Sequence, residues 1–436
     1  MKIKSGEKCS KRACKNKEEN SKIMVLPKGR SIEDLNVYCI MDIFRYLEPS
    51  DLIHAAEVWP RLEEFSCMFM KKISATQFVE FILEQKTVDD IKKIFPYLKY
   101  LPHIILSQDY HQPSISTQDF EKLCHEIFEL LSKSKNDCLK TLDWDFQIPE
   151  ELVQNCFKAI IHNLEVIDVT DFNRITISSN DIRSWLQNAN NLKEFNWEIN
   201  SEEQQNFLLP TLECLPKTLR IIRICILGNV SRPISVELLF EHLNQMSNLD
   251  NLVLSRLDFK LTNERSFHTT ARTMCFVVSS GTNYSCLPVN PNLKKLTLES
   301  GILTDKNLDF ILENYSSLEI LILSYLDTTE AVIGRFSQLE RLKILKFESM
   351  NDWIGSTLKF FTNLEELDIR YCRNFRKEFL FDWLPRAKNL RLLKVIAHVE
   401  CEWDELIRNV KNSSRVRNQH VTIEVGTEEK ITRTII

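Results

Sequence analysis
The chain is 436 residues long, with 43% hydrophobic residues, only 8 Gly and a formal net charge of −5. This composition excludes a disordered or collagen-like polymer and argues against a large nucleic-acid-binding face. No run approaches the ~18 apolar residues of a membrane span, residues 1–22 hold no apolar stretch that could act as a signal peptide, and the 13 scattered Cys read as reduced thiols of cytoplasm or nucleus.

In chain order, residues 1–22 form a basic tail with eight Lys/Arg against three Glu. Such a tail is expected to be solvated and disordered, with nuclear import or weak nucleic-acid contact as the functional alternative. A compact helical segment follows over 23–72. Ile40, Ile43, Phe44 and Leu47 recur at i, i+3, i+4 and i+7, one apolar helix stripe. Glu48-Pro49 breaks it, and Ser50 is the expected N-cap of a second helix carrying Leu52, Ala55, Ala56 and Trp59. Beyond Pro60, Leu62, Phe65 and Phe69 begin a third helix. Three short helices enclose a very small core, and such a bundle needs a partner or an adjoining domain.

The spelling LNVYCIMDIFRYLEPSDLIHAAEVW at 35–59 resembles the F-box. Leu35, Ile40, Ile43, Phe44, Tyr46, Leu47, Asp51, Leu52, Val58 and Trp59 fall on the places of that pattern. The sequence departs from it at Asn36, where the pattern has Pro, and at Tyr38, where an acidic residue is common. The resemblance covers roughly 40 residues of the chain.

A helical linker over 73–100 leads into an array over 101–425. One phrase returns there: NLKEFNW at 191–197, NLDNLVL at 248–254, NLKKLTL at 292–298, SLEILIL at 317–323, NLEELDI at 363–369 and NLRLLKV at 389–395. Its first apolar position falls at 139, 164, 192, 219, 249, 293, 318, 342, 364 and 390, with differences of 25, 28, 27, 30, 44, 25, 24, 22 and 26. Apart from the 44, these lie in or next to the ~20–29 residue range of leucine-rich repeats. Weaker members fit at Leu101, Ile104 and Leu106 and, as a capping strand, at His420, Ile423 and Val425, for about 11–12 irregular repeats before a tail over 426–436.

Helical stretches at 118–133, 234–246 and 305–315 lie between the strands, the first with Ser116 and Asp119 at capping-box spacing. The fold class is therefore α/β: a small all-α bundle, then a curved solenoid with parallel strands inside and helices outside. An Asn/Cys ladder is expected after the strands, yet only Cys372 fits; Phe172, Leu227, Leu257, Leu326 and Met350 are apolar substitutes. The 44-residue interval has two explanations. SSGTNYSCLPVNPN at 279–292 is a breaker cluster that favours an inserted loop within 258–291. Alternatively Ala271, Met274 and Phe276 mark a degenerate repeat.

Strand alternation turns the consensus apolar positions inward and the residues between them outward. The central outward row is Asp143, Asp168, Asn196, Arg223, Val253, Thr297, Ile322, Lys346, Asp368 and Lys394. Beside it run Asp145, Thr170, Glu198, Cys225, Ser255, Glu299, Ser324, Glu348, Arg370 and Ile396. The early repeats are thus acidic, the middle is apolar through Val253, Ile320, Ile322 and Ile344, and the late repeats carry Lys346, Arg370 and Lys394, mixed with acids. A partner is expected across the apolar middle with a basic end over the early repeats; the alternative is a merely solvated face.

No phosphate-binding Gly loop or nucleophile elbow is present, and no Cys/His set has zinc spacing. The chain is read as a non-enzyme without cofactor or metal. F-box proteins with leucine-rich repeats are substrate receptors of SCF-type ubiquitin ligases, acting in the route to proteasomal degradation. The resemblance therefore implies binding of a Skp-type adaptor, which links to a cullin and a RING subunit, and capture of a protein substrate by the repeats. Leu35, Ile40, Ile43, Phe44, Leu47, Leu52 and Trp59 are the adaptor contacts it implies, some of them shared with the bundle's own core. The alternative is a leucine-rich-repeat interaction scaffold with an F-box-like N-terminal cap.

Overall fold
A computed structural model describes residues 35–59, 62–85, 87–106, 115–133, 136–144, 148–168, 179–199, 206, 208, 210–226, 236–256, 267–278, 284, 287–350, 352–396, 404–417, 421–427 and 431–435. The expectations placed on the tail 1–22 and on Asp145, Thr170, Phe172, Leu227, Leu257 and His420 lie outside these residues. Contacts divide the chain into two units at Lys72/Ile73.

The first unit holds α1 (Val37–Phe44), α2 (Pro49–Val58) and α3 (Glu63–Met70). Asn36 caps α1, its side-chain oxygen accepting from the Cys39 amide at 2.9 Å. The residue that departs from the F-box pattern thus supplies a cap that Pro could not. The second helix begins at Pro49, not after Ser50. Proline suits the first helical position, where its missing N–H would have had no partner. Ile40, Phe44, Leu52, Phe69 and Met70 are buried, and the Phe44 ring lies 6.3 Å from Phe65 and 6.1 Å from Phe69.

The second unit opens with α4 (Ala75–Glu84), α5 (Val88–Lys92) and a 3₁₀ turn (Phe95–Tyr100). This interval, expected as a linker, is the first layer of the repeat unit, because α4 packs against β1 (His103–Leu106). Then come α6 (Thr117–Lys133), β2 (Thr141–Trp144), α7 (Glu150–Ile160), β3 (Val166–Asp168), α8 (Ser179–Asn188), β4 (Glu194–Ile199) and β5 (Ile221–Ile226). They continue through α9 (Val236–Leu243), β6 (Asn251–Ser255), β7 (Thr273–Val277), β8 (Lys295–Glu299), α10 (Asp305–Asn314), β9 (Ile320–Ser324) and α11 (Glu330–Arg335). The last are β10 (Ile344–Glu348), β11 (Glu366–Arg370), α12 (Glu378–Trp383), β12 (Leu392–Ile396), α13 (Asp404–Arg417), β13 (Thr422–Gly426) and β14 (Ile431–Ile435).

All fourteen strands form one sheet in chain order; β1 to β13 are parallel and β14 is antiparallel to β13. The ten leucines that open the phrase are buried, as are the alternate strand residues behind them. Strands sit ~4.8 Å apart while packed helices need ~8–10 Å, so the sheet side of this unit is the narrower, concave one. This is a leucine-rich-repeat solenoid, read from its own register.

The 44-residue interval is two repeats and not an inserted loop. β7 pairs with β6 and β8, bringing Leu252, Met274 and Leu296 into register, and Ala271, Met274 and Phe276 are fully buried. Half of the breaker cluster lies outside the described residues. Likewise residues 431–435, expected in a tail, form β14.

Two devices recur that the phrase did not announce. Arg256, Ser300, Tyr325, Ser349 and Tyr371 each follow a strand directly with φ between 52° and 63°. This left-handed turn aims the amide at the next strand's last carbonyl, as in Tyr325 to Glu348 (3.0 Å), Ser349 to Arg370 (2.8 Å) and Tyr371 to Ile396 (2.8 Å). The following residue, Leu326 or Met350, then drops into the core. An Asn/Cys ladder is therefore not needed. Asparagines work instead at the opposite edge of the sheet: Asn163 donates to the Asn136 carbonyl (3.0 Å) and Asn191 to that of His162 (2.8 Å), joining one repeat to the last.

Met274→Ala is expected to lower unfolding free energy by about 2–5 kcal/mol, as a core position in a repeat requires and a loop position would not. Urea denaturation measures it. Ser349→Gly should be neutral or stabilising by up to ~1 kcal/mol, and Ser349→Val destabilising by about 1–2 kcal/mol, since a β-branched residue resists the left-handed turn.

Candidate interaction surfaces
The concave face is built from the outward residues of β2 to β13. Strand register places the expected central row side by side: Asp168 beside Asn196, then Arg223, Val253, Thr297, Ile322, Lys346, Asp368 and Lys394. Cys275 of β7 stands between Val253 and Thr297, a member missed because its repeat lacks the opening Leu. Asp143 lies one strand pair earlier, opposite Ile105. Most of these side chains are half-buried, as expected of a face open to one side only; Asp368 is 2% exposed.

The charges on this face largely satisfy one another. Arg223 binds Glu194 and the Asn196 side-chain oxygen (3.0 Å), and Asn196 donates to Asp168 (3.2 Å). At the other end Lys346 contacts Glu366 (2.6 Å), Arg370 forks onto Asp368 (2.8 and 3.0 Å), and Lys394 meets Glu424 (3.0 Å). The late repeats are mixed in charge, as expected, with Glu366, Asp368 and Glu424 beside their cations, and the early repeats stay acidic, with Asp143, Asp168, Glu194 and Glu198 against Arg223. Between them lies a half-exposed belt of Val253, Cys275, Thr297, Ile320, Ile322 and Ile344, with Lys295 beside Ile320 and Lys346 beside Ile322.

Along the N-terminal edge of the sheet runs a ladder of opposite charges. Glu165 bridges Lys140 (3.2 Å) and Lys193 (2.9 Å); Asp250 bridges Arg220 (2.8 Å to Nε) and Arg272 (3.9 Å). Glu319 bridges Lys294 (2.6 Å) and Lys343 (3.8 Å), and Glu365 bridges Lys343 (3.9 Å) and Arg391 (3.4 Å). A groove of about 570 Å³ opens here, lined by Glu165, Lys193, Arg220, Asp250 and Arg272 among others. Its charges are of both signs, which suits no single-sign ligand.

In the helical unit the structure apportions the seven expected adaptor contacts. Ile40, Phe44 and Leu52 are 5%, 2% and 2% exposed and hold the bundle together. They are the members of the set that form the bundle's own core. Ile43 is 40% exposed, while Leu35, Leu47 and Trp59 are half-buried. Val37, Tyr38, Tyr46 and Val58, not singled out as contacts, are at least half exposed. Helical period could have found Tyr38, which lies on the side of α1 away from Ile40 and Phe44.

No group of His, Cys, Asp and Glu among the described residues could hold a metal ion, and no helix among them is long and apolar enough to cross a membrane. Burial pushes the Cys275 thiol up to about 11 and the Cys372 thiol up to about 12, so neither is a thiolate at neutral pH.

No family model matches the chain, and no curated protein matches it in sequence. Solved structures are similar to it. An internalin (inlF) from Listeria monocytogenes is 14% identical, over 80% of this chain and 92% of that one, with a TM-score of 0.36. The leucine-rich repeat-containing protein LegL7 from Legionella pneumophila is 14% identical, over 71% and 98%, with a TM-score of 0.39. TLR13 in a complex with ssRNA13 is 14% identical, over 71% and 42%, with a TM-score of 0.34. Likenesses at this level carry no argument about ligand or partner.

The edge ladder makes stability pH-dependent. Hydrogen bonds from Lys193 and Lys140 hold the Glu165 carboxyl below its usual range, and the bond from Lys294 does the same for Glu319. A carboxylate lowered in the folded state contributes fully above its unfolded value of ~4.3, and the contribution is lost as pH falls through the lower folded value. Urea midpoints should therefore decline below about pH 4.3, with a shallower decline for Glu165→Gln/Glu319→Gln.

Proposed function
We propose that the chain is a substrate receptor of an SCF-type ubiquitin ligase, its helical unit binding a Skp-type adaptor and its repeat unit a protein substrate. The observation that carries this reading is the apolar surface of the helical unit. In a bundle whose whole core is three short helices, Tyr38 and Tyr46 are 80% and 82% exposed, with Val37, Ile43 and Val58 at 52%, 40% and 61%. Exposed apolar groups concentrated in so small a unit mark a partner surface. They accompany the F-box spelling of residues 35–59. On this reading Ile43, Tyr46 and Val58 meet the adaptor, with Leu35, Leu47 and Trp59 at the margin.

The scaffold alternative asks the helical unit to shield the first repeat. That task is already filled by α4, which packs on β1 within the repeat unit itself. The receptor reading needs no chemistry from this chain: the adaptor links to a cullin and RING subunit, and the receptor raises the effective concentration of a substrate lysine near a thioester formed elsewhere. The chain is then non-catalytic and works in cytoplasm or nucleus. The substrate face we assign is the mostly apolar belt from Val253 to Ile344, so the substrate brings apolar side chains there.

Pull-down of Skp-type adaptor and cullin by the full chain is the test. Wild type should capture both, and Ile43→Asp/Tyr46→Asp should lose them while circular dichroism stays unchanged. Phe44 is avoided because a charge in the core would unfold the bundle. No capture by wild type would leave an interaction scaffold. Once a substrate is in hand, Ile320→Ala/Ile322→Ala should weaken its binding about tenfold (~1.4 kcal/mol).

A further inference from the structure
The two outer strands of the sheet are finished differently. β1 has α4 packed against it, whereas β14 pairs with β13 on one side and with no described strand on the other. Outer strands left open are ordinarily blunted by charges, proline or bulges, because their free N–H and C=O groups are a template for pairing. β14 has only Arg433 for this purpose, and it exposes Ile431 at 47% and Ile435 at 70%. Its register sets Ile431, Arg433 and Ile435 opposite Gly426, Glu424 and Thr422, and so on the concave face. Thr432 and Thr434 then take the places where the repeats carry apolar residues.

The strand Ile431-Thr432-Arg433-Thr434-Ile435 reads the same in both directions. We propose that β14 is a self-docking edge, on which a second copy of this chain pairs its own β14 antiparallel. With the two-fold axis through Arg433, each Ile431 faces the other copy's Ile435 and each Thr432 the other copy's Thr434. These are favourable cross-strand pairs, met twice by symmetry. The two Arg433 at the centre are like charges, and Glu424, 3.6 Å from each on its own chain and shared there with Lys394 (3.0 Å), offsets part of their repulsion. Pairing of β14 with the other copy's β1 would instead be head-to-tail and would not close; α4 packs against that strand. Five-residue strands make an interface below the standard size, so association is weak and concentration-dependent. The inference is independent of the ligase reading.

Sedimentation equilibrium of the full chain up to tens of micromolar tests it. The mass should rise from 51.3 kDa toward twice that value. Ile431→Lys/Ile435→Lys, at exposed positions and with an unchanged unfolding midpoint, should remain at the single-chain mass, while Ile431→Val/Ile435→Val should still dimerise. A wild type that stays at single-chain mass overturns the proposal. So does a dimer that survives the lysine pair, since it would use another surface.

Discussion
Everything in the repeat unit depends on one constraint: successive strands pair in parallel without slipping. At ~4.8 Å per strand, the same position of each repeat lies beside itself in the next, and a position in the sequence becomes a row in space. The row behind the sheet must be apolar throughout, which is why the ten phrase leucines are buried without exception. A row of like charges would repel at that spacing, and the N-terminal edge instead shares carboxylates: Glu165, Asp250, Glu319 and Glu365 each touch cations on both sides. Exposed pairs of this kind contribute little singly, but each of these cations has a carboxylate in a neighbouring repeat.

Rows also explain how the strands end. A repeat must turn within a residue or two of the sheet, and five times it does so with a left-handed Arg, Ser or Tyr instead of Gly. Each such residue is strained by about 1–2 kcal/mol. Its amide, however, bonds the carbonyl of the next strand, so the strain is offset by the same pairing that sets the register. A polar Asn or Cys ladder behind the turn would satisfy amides that here are already satisfied. Apolar Leu326 and Met350 can therefore occupy that place and add to the core.

Much of this was legible in the chain. The phrase marks ten of the strands, and its alternation sorts inward from outward residues correctly for the central row. The repeat of β7 was legible only as the less favoured alternative, because Ala271 stands where the phrase has its opening Leu and because a breaker cluster follows. Ion pairing escaped for another reason: Arg223 with Glu194 and Lys346 with Glu366 join neighbouring strands across rows, whereas each row was read along its own length. In the helical unit Ile40 and Ile43 occupy equally good places in the pattern. Only packing shows that Phe65 and Phe69 close over the side bearing Phe44, leaving Ile43 outside.

The paired charges change what the concave face can select. Had the early acids and late cations stood free, an oppositely charged partner would be steered by long-range attraction and would bind less well as salt rises. With Arg370 on Asp368 and Lys394 on Glu424, a charged partner at the late repeats would have to break existing bonds before making new ones, whereas the early repeats keep an acidic excess. On the proposed reading affinity comes from the belt between, where Val253, Ile320, Ile322 and Ile344 can be covered with Lys295 and Lys346 beside them. Apolar burial is non-directional, so specificity falls to shape and to the hydrogen-bonding groups set among those residues, Thr297 and Ser324. On that reading each repeat of the belt supplies one or two such groups, and a partner would be read along the array rather than by a single pocket.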